Sequence, residues 1–197
     1  MSNEKQLFDE QLASLRKLSS IYEYLKETAC FMDSDALLRS EYVLIVSAFD
    51  NYLHNIVRRK IREDFFSGQP LPDDFQLPIQ VYQLLQSEGT VTGQQRILDN
   101  ALQKRLVKDS FQSPRSVEYV SNLLQINHLW RTASLSMGTP ANQIRMQLGL
   151  IVQRRNQIAH EADIDRSNEM LRSIDVQTIN DCRDFLEKIV TCIDAQI

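Results

Sequence analysis

Residues 34–57 read SDALLRSEYVLIVSAFDNYLHNIV, and their periodicity decides the fold class. Leu37, Leu38, Tyr42, Ile45, Val46, Phe49, Leu53, Ile56 and Val57 recur at three- and four-residue intervals, the spacing of one face of an α-helix. Ser34 or Asp33 can act as the N-cap. The pattern runs on through Arg58, Arg59, Lys60 and Arg62, cations favoured near the negative end of a helix dipole. It breaks at Ser67-Gly68-Gln69-Pro70-Leu71-Pro72-Asp73-Asp74, a run of turn-forming residues.

The same period extends outward in both directions. Upstream, residues 4–29 place Leu7, Leu12, Leu15, Leu18, Ile21, Tyr22 and Leu25 on one apolar stripe. Downstream, shorter helices are expected at Ile79–Leu85 and Gln94–Val107. Ser113-Pro114 is a cap followed by proline at the first helical position, and opens a helix through Val117, Val120, Leu123 and Leu124. A piece containing Leu129, Trp130 and Leu135 ends at Ser136-Met137-Gly138. Thr139-Pro140 is a second such start, leading into Ile144, Leu148, Ile151, Val152 and Ile158. Asp175 caps a last helix carrying Val176, Ile179, Cys182, Leu186, Ile189, Val190 and Ile193. No stretch alternates with period two, and no internal repeat is present. Residues 1–197 are expected to form a single all-α domain, a helical bundle with long core helices and shorter helices inserted between them.

Composition agrees with that class. Five glycines and five prolines among 197 residues are too few for a sandwich or barrel, which needs a turn every 8–12 residues. At this length one core buries roughly 70% of the unfolded surface, so no disulfide or metal staple is required. No apolar run approaches the roughly 18 residues of a membrane span. The opening MSNEKQLFDE has neither the apolar segment of a signal peptide nor an Arg-rich transit pattern. Cys30, Cys182 and Cys192 are odd in number and lack C-x-x-C spacing, as expected for reduced thiols in a cytoplasmic protein.

Net charge is −4, which argues against a protein coated with basic residues for nucleic acid. The distribution qualifies this. Residues 1–92 and 161–197 each carry a net of −5, whereas residues 93–160 hold 9 basic and 3 acidic residues, a net of +6. A local polyanion site and ordinary solvated helix faces both fit such a band.

Motifs for common chemistries are absent. No glycine cluster cradles phosphate, no H-E-x-x-H or Cys/His spacing suits zinc, and no G-x-S-x-G elbow is present. A metal-independent protein without a cofactor is therefore expected. Of the three histidines, His128 beside Leu129 and Trp130 reads as a packed or capping residue. His54 follows Asp50 by one helical turn, a common acid–base pair. His160 ends the run Gln153-Arg154-Arg155-Asn156-Gln157-Ile158-Ala159-His160. Arg155 there continues the stripe Ile144-Leu148-Ile151 and interrupts an apolar face. A charge so placed pairs with an anion or carboxylate, emerges at an interface, or snorkels to solvent. His160 lies about 140° further round an ideal helix, so the two side chains converge only if the helix ends or tightens near Ala159.

Arg155-Asn156-Gln157-Ile158-Ala159-His160 resembles the signature of the HEPN superfamily, in which an Arg, often followed by a polar residue, precedes a His by four to six intervening positions. Residues 41–54, EYVLIVSAFDNYLH, resemble the first core helix of its RiboL-PSP-HEPN branch. The stretch Pro114-Arg115-Ser116-Val117-Glu118-Tyr119-Val120 and the pair Ile164-Asp165 are also similar. The resemblance spans residues 33–195. It implies an α-helical bundle that pairs as a homodimer through the face carrying the Arg155/His160 helix. It further implies a metal-independent endoribonuclease of toxin–antitoxin or phage-defence type, with an antitoxin or defence-system protein as a further partner. Members that have lost activity are non-catalytic RNA- or protein-binding modules, which is the alternative reading.

Residue chemistry is compatible with RNA cleavage by 2′-hydroxyl attack. That reaction needs a base, an acid for the 5′-oxygen and positive charge on the phosphorane. Histidine, with a reference pKa of about 6.5, suits the proton steps. The arginine fork suits oxyanions. One histidine per chain is a thin supply for two proton transfers, and a two-fold dimer doubles it. The expected roles are Arg155 for phosphate charge and His160 for proton transfer. Asn156 is a supporting polar group, Arg154 a contact to the RNA backbone or, by its six-residue spacing from His160, a reserve candidate for the motif arginine, and Asp50 a residue that fixes Arg155 or His160 from the second helix. An all-α oligomer without a site is the remaining possibility.

Overall fold

A computed structural model describes residues 1–28, 34–72 and 75–197. Asp33 as an alternative N-cap, Cys30, and the Asp73-Asp74 part of the break lie outside the described residues. In chain order the elements are α1 (Asn3–Thr28), α2 (Asp35–Phe66), α3 (Ile79–Ser87), α4 (Val91–Leu106), α5 (Pro114–Leu123), α6 (Leu129–Met137), α7 (Ala141–His160), β1 (Ile164–Asp165), β2 (Met170–Leu171) and α8 (Val176–Asp194). The protein is an all-α bundle. The two strands form a short antiparallel hairpin in which Ile164 opposes Leu171 and Asp165 opposes Met170. Two-residue strands are too short to leave a period-two signal, which is why the sequence does not show them.

α2 is the axis of the bundle. Its buried side chains include Leu38, Tyr42, Ile45, Val46, Phe49, Tyr52, Leu53, Ile56, Val57 and Ile61, a surface too broad for one neighbour to cover. α1, α4, α5, α7 and α8 all pack against it, while α6 bridges α7 and α8. Ser40, Leu44 and Asn51 remain exposed along its outer edge. The helix runs one turn past its basic cluster, so Glu63 and Asp64 rather than cations occupy its last turn. Lys60 reaches forward to Asp64 at 2.6 Å, which offsets the unfavourable placement of that carboxylate. Gly68 then takes φ +70°, a left-handed conformation that glycine adopts without steric cost.

Sequence capping signals are obeyed at three helices. The Ser113 hydroxyl accepts from the Ser116 N–H (3.1 Å), the Asp175 carboxylate from Thr178 (2.7 Å), and Gly138 ends α6 at φ +62°. Two expectations differ. α7 starts with Pro140 itself at the cap, and the Thr139 hydroxyl turns back to the Met137 carbonyl at 3.2 Å. Ser34 occupies the α2 cap without a side-chain cap bond.

The inward stripe of α1 is rotated from the expected one. Phe8, Leu12, Ser19 and Tyr22 are buried, whereas Leu7 and Ile21 face solvent. The reason lies across the interface. Glu41 on α2 is fully buried, and the Ser19 hydroxyl donates to its Oε2 at 2.5 Å. Arg183 on α8 closes on the Glu41 Oε1 from the other side and also donates to the Asn180 side-chain oxygen at 2.7 Å. A serine within the apolar stripe thus satisfies a buried carboxylate that joins three helices. Nearby, burial pushes the Cys182 thiol up to about 12, against the lowering pull of the Tyr42 hydroxyl and the Arg183 charge. It remains a protonated thiol at neutral pH.

Removing one member of this cluster leaves the other charge buried and uncompensated. Glu41→Ala is expected to cost about 3–5 kcal/mol in urea unfolding, while the double change Glu41→Leu with Arg183→Met recovers most of that loss. Equal losses in the single and double variants would contradict the pairing.

Candidate active site

Both residues of the Arg-x4-His motif stand on the C-terminal half of α7. Ile144, Leu148, Ile151 and Val152 bury the first turns of the helix, and Ile158 is half-buried against the same core. α7 runs antiparallel to α2. The Tyr42 hydroxyl reaches the Ile151 carbonyl at 3.5 Å, and Arg39, one turn earlier on α2, meets residues just past the end of α7. Arg155 and His160 therefore lie at the level of the start of α2.

The helix continues through His160 and then stops abruptly. Ala162 and Asp163 take φ +52° and +58°, and the Gln157 carbonyl accepts from both the Glu161 and Asp163 N–H groups (3.0 and 2.9 Å). Two successive non-glycine residues in the left-handed region cost roughly 1–2 kcal/mol each. The Asp163 side chain, 1% exposed, holds the turn in place. Arg154 grips both its oxygens with two guanidinium nitrogens, and Arg39 donates its Nε at 2.8 Å. The same two arginines also cap carbonyls of the returning chain, Arg39 at Arg172 (2.8 Å) and Arg154 at Ser173 (3.1 Å). One carboxylate thus fastens α2, α7 and the segment after the hairpin together.

The adjacent arginine is placed differently. Arg155 makes no ion pair among the described residues. Its Nη1 donates to the neighbouring Asn156 side-chain oxygen at 3.1 Å, and its Nε is buried without a hydrogen-bond partner. A buried guanidinium nitrogen left unpaired is costly, and an oxyanion would satisfy it. The His160 side chain is exposed at the helix end and makes no hydrogen bond among the described residues. Because the helix neither ends nor tightens at Ala159, the two side chains of one chain remain about 7.5 Å apart along the axis and about 140° apart around it.

The remaining expected residues fall elsewhere. Arg154 is committed to Asp163 instead of lying open to a ligand. Asp50 holds neither Arg155 nor His160: it stands two turns beyond Tyr42 on α2, about 12 Å along the helix and away from that end. Its Oδ1 accepts the Phe111 N–H at 2.6 Å, and its Oδ2 lies 3.5 Å from the His54 Nε2. The expected His54–Asp50 pair is therefore present. His128 sits at the start of α6 with φ +61°, its carbonyl accepting from Arg131 and Thr132 while its exposed side chain caps nothing. Sequence reasoning missed Asp163 and Arg39, because only the fold brings residues 124 positions apart onto one carboxylate. Among the described residues no group of three or more His, Cys, Asp or Glu is placed to hold a metal ion.

Asparagine tolerates left-handed backbone and keeps an acceptor, so Asp163→Asn removes the charge alone. It is expected to lower stability by about 1–3 kcal/mol and to raise amide exchange at residues 157–165 above that of α1. Unchanged exchange at the end of α7 would show that the arginines do not fix it.

The RiboL-PSP-HEPN family model matches residues 10–197, from α1 through the end of α8. No curated protein and no solved structure matches the chain significantly. HEPN domains are generally ribonucleases that act on RNA. With the match covering nearly the whole bundle, the chain belongs to the RiboL-PSP-HEPN family.

Proposed function

We propose that this protein is a metal-independent endoribonuclease whose site is completed by a second copy of the chain, working in the cytoplasm as a toxin or phage-defence effector restrained by a partner protein. The observation that carries this reading is the contrast between two consecutive arginines. Arg154 is neutralised by Asp163, whereas Arg155 keeps a buried, unpaired Nε on the same helix, which ends in an exposed His160.

In the proposed reaction the RNA 2′-oxygen attacks the adjacent phosphorus, its proton passing to one His160 imidazole. The P–O5′ bond breaks, and the leaving 5′-oxygen takes a proton from the second His160 across the two-fold axis. The products are a 2′,3′-cyclic phosphate and a 5′-hydroxyl. Arg155 neutralises the non-bridging oxygens as negative charge builds in the phosphorane, and Asn156 holds its guanidinium. Two features support a two-chain site. Arg155 and His160 diverge on one continuous helix. Met146 and Leu150 on α7, with Ile164, Met170 and Leu171 on the hairpin just past His160, are exposed apolar side chains suited to cover by a second copy.

His160→Ala is expected to lower cleavage by 10²-fold or more, and Arg155→Ala by about 10²–10³-fold, with EDTA having no effect. RNA carrying a 2′-deoxyribose at the cut position should resist cleavage. Equal amounts of wild type and His160→Ala, allowed to exchange subunits, should retain about a quarter of the activity if both histidines serve each site, against about half if each chain acts alone. Full activity in the His160→Ala protein overturns the nuclease reading. Growth arrest on expression of wild type but not of His160→Ala tests the toxin role.

A further inference from the structure

The basic band at residues 93–160 is mostly not at the end of α7. Within it Arg154 is bound to Asp163, and Arg145 pairs with Glu118 at 3.0 Å while lying over the Trp130 ring. Three other cations converge elsewhere. Arg105, at the last turn of α4, and Lys108, in the connection that follows, face Arg115, in the first turn of α5, across a groove of about 630 Å³. Arg105 is paired with Asp109 at 2.7 Å, but Lys108 and Arg115 make no ion pair among the described residues. The groove also presents the hydroxyl-bearing side chains of Ser110 and Ser116.

The floor of this groove is built firmly. Phe111 is 1% exposed, its ring stacks on His54 at 4.3 Å, and its N–H is held by Asp50. Asp50 therefore anchors the α4–α5 connection to the bundle axis and sets where Lys108 stands. The groove also has a defined position relative to α7. The Pro114 Cγ lies 3.8 Å from where a side chain on Gly149 would begin, and Glu118 meets Arg145, so α5 runs antiparallel along α7. Gly149 precedes Arg155 by six residues, about 9 Å of helix. The start of α5 therefore lies about two helical turns of α7 from the level of Arg155.

We propose that this groove is a second phosphate-binding subsite for the RNA strand, in which Lys108 and Arg115 hold backbone phosphates away from the scissile bond. The inference rests on the ribonuclease reading for the identity of the polyanion. Its contacts are to phosphate and therefore add affinity and register without base preference.

The test uses the full-length His160→Ala protein, so that binding is measured without cleavage, and a fluorescein-labelled single-stranded RNA 12-mer of mixed sequence. Fluorescence anisotropy is read from 50 to 200 mM salt. Adding Lys108→Ala and Arg115→Ala is expected to weaken binding about tenfold or more and to reduce the salt slope by about 1.4, the loss of two single-strand phosphate contacts. Arg16→Ala with Lys17→Ala on α1 changes net charge equally and is expected to leave both readings near the parent. An unchanged slope in the groove variant, an equal effect from the α1 control, or no RNA binding by the parent overturns the proposal. In the His160-containing protein the groove variant should raise KM more than it lowers kcat. Absence of cleavage in every variant defeats the nuclease reading, and the anisotropy comparison still decides the groove. Circular dichroism melting confirms that each variant is folded.

Discussion

Asp163 is where two guanidiniums from different helices meet a carboxylate almost wholly removed from water, and the geometry of the motif depends on that contact. Charges buried without partners are expelled or neutralised, so Arg39, Arg154 and Asp163 hold one another in a fixed arrangement. The turn they hold contains two left-handed non-glycine residues, a conformation that local preferences oppose. Once it is held, α7 must end at His160, and the chain must turn back through the hairpin toward α8. The same contact separates the roles of two neighbouring arginines. With the local carboxylate occupied by Arg154, Arg155 has only the neutral Asn156 amide as a side-chain partner among the described residues.

The buried Glu41–Arg183–Ser19 cluster plays a comparable part at the other side of α2, joining α1 and α8 to the bundle axis. Both clusters place a charged group in the core and satisfy it with partners from other helices. Each therefore fixes register: a helix displaced by one residue would leave a charge in the core without its partner. The acidic character of the chain as a whole does not conflict with binding a polyanion. Positive charge is concentrated in residues 93–160, and within that band Arg105, Lys108 and Arg115 line one groove between α4 and α5 while Arg154 and Arg155 stand near the end of α7. Net charge alone therefore says little about affinity for a polyanion, because local fields depend on where the charges cluster.

Much of the helical layout was legible in the sequence. The 3–4 spacing through Leu38, Tyr42, Ile45 and Phe49, the Ser113-Pro114 start, the Gly138 stop and the Asp175 cap are local signals, and local signals survive folding because neighbouring residues supply both sides of each interaction. On α1 the expected Leu12 and Tyr22 face inward, but Leu7 and Ile21 do not, since Leu7 and Ile21 are as apolar as Phe8 and Leu12 and only the packing partner selects between them. The hairpin leaves no trace in the sequence because its strands are two residues long, and the Arg172 N–H to Asp163 carbonyl bond that closes it joins residues nine apart. Asp50 meets Phe111 and His54 and not the expected Arg155 or His160, because sequence gives a residue's helix but not the level at which a distant helix crosses it.

By itself the sequence determined that the chain is helical, where most of its helices begin and end, and that an arginine interrupts the apolar face of α7 five residues before a histidine. These are properties of periodicity and capping, which act over one or two turns. Only the tertiary structure decided which of two consecutive arginines is neutralised. Arg154 and Arg155 are chemically identical and about 100° apart on one helix. What distinguishes them is the position in space of Asp163, set jointly by α2, α7 and the returning chain. A long-range ion pair in the core leaves no periodic trace in the residues that form it, and so the difference between Arg154 and Arg155 became visible only once the bundle was assembled.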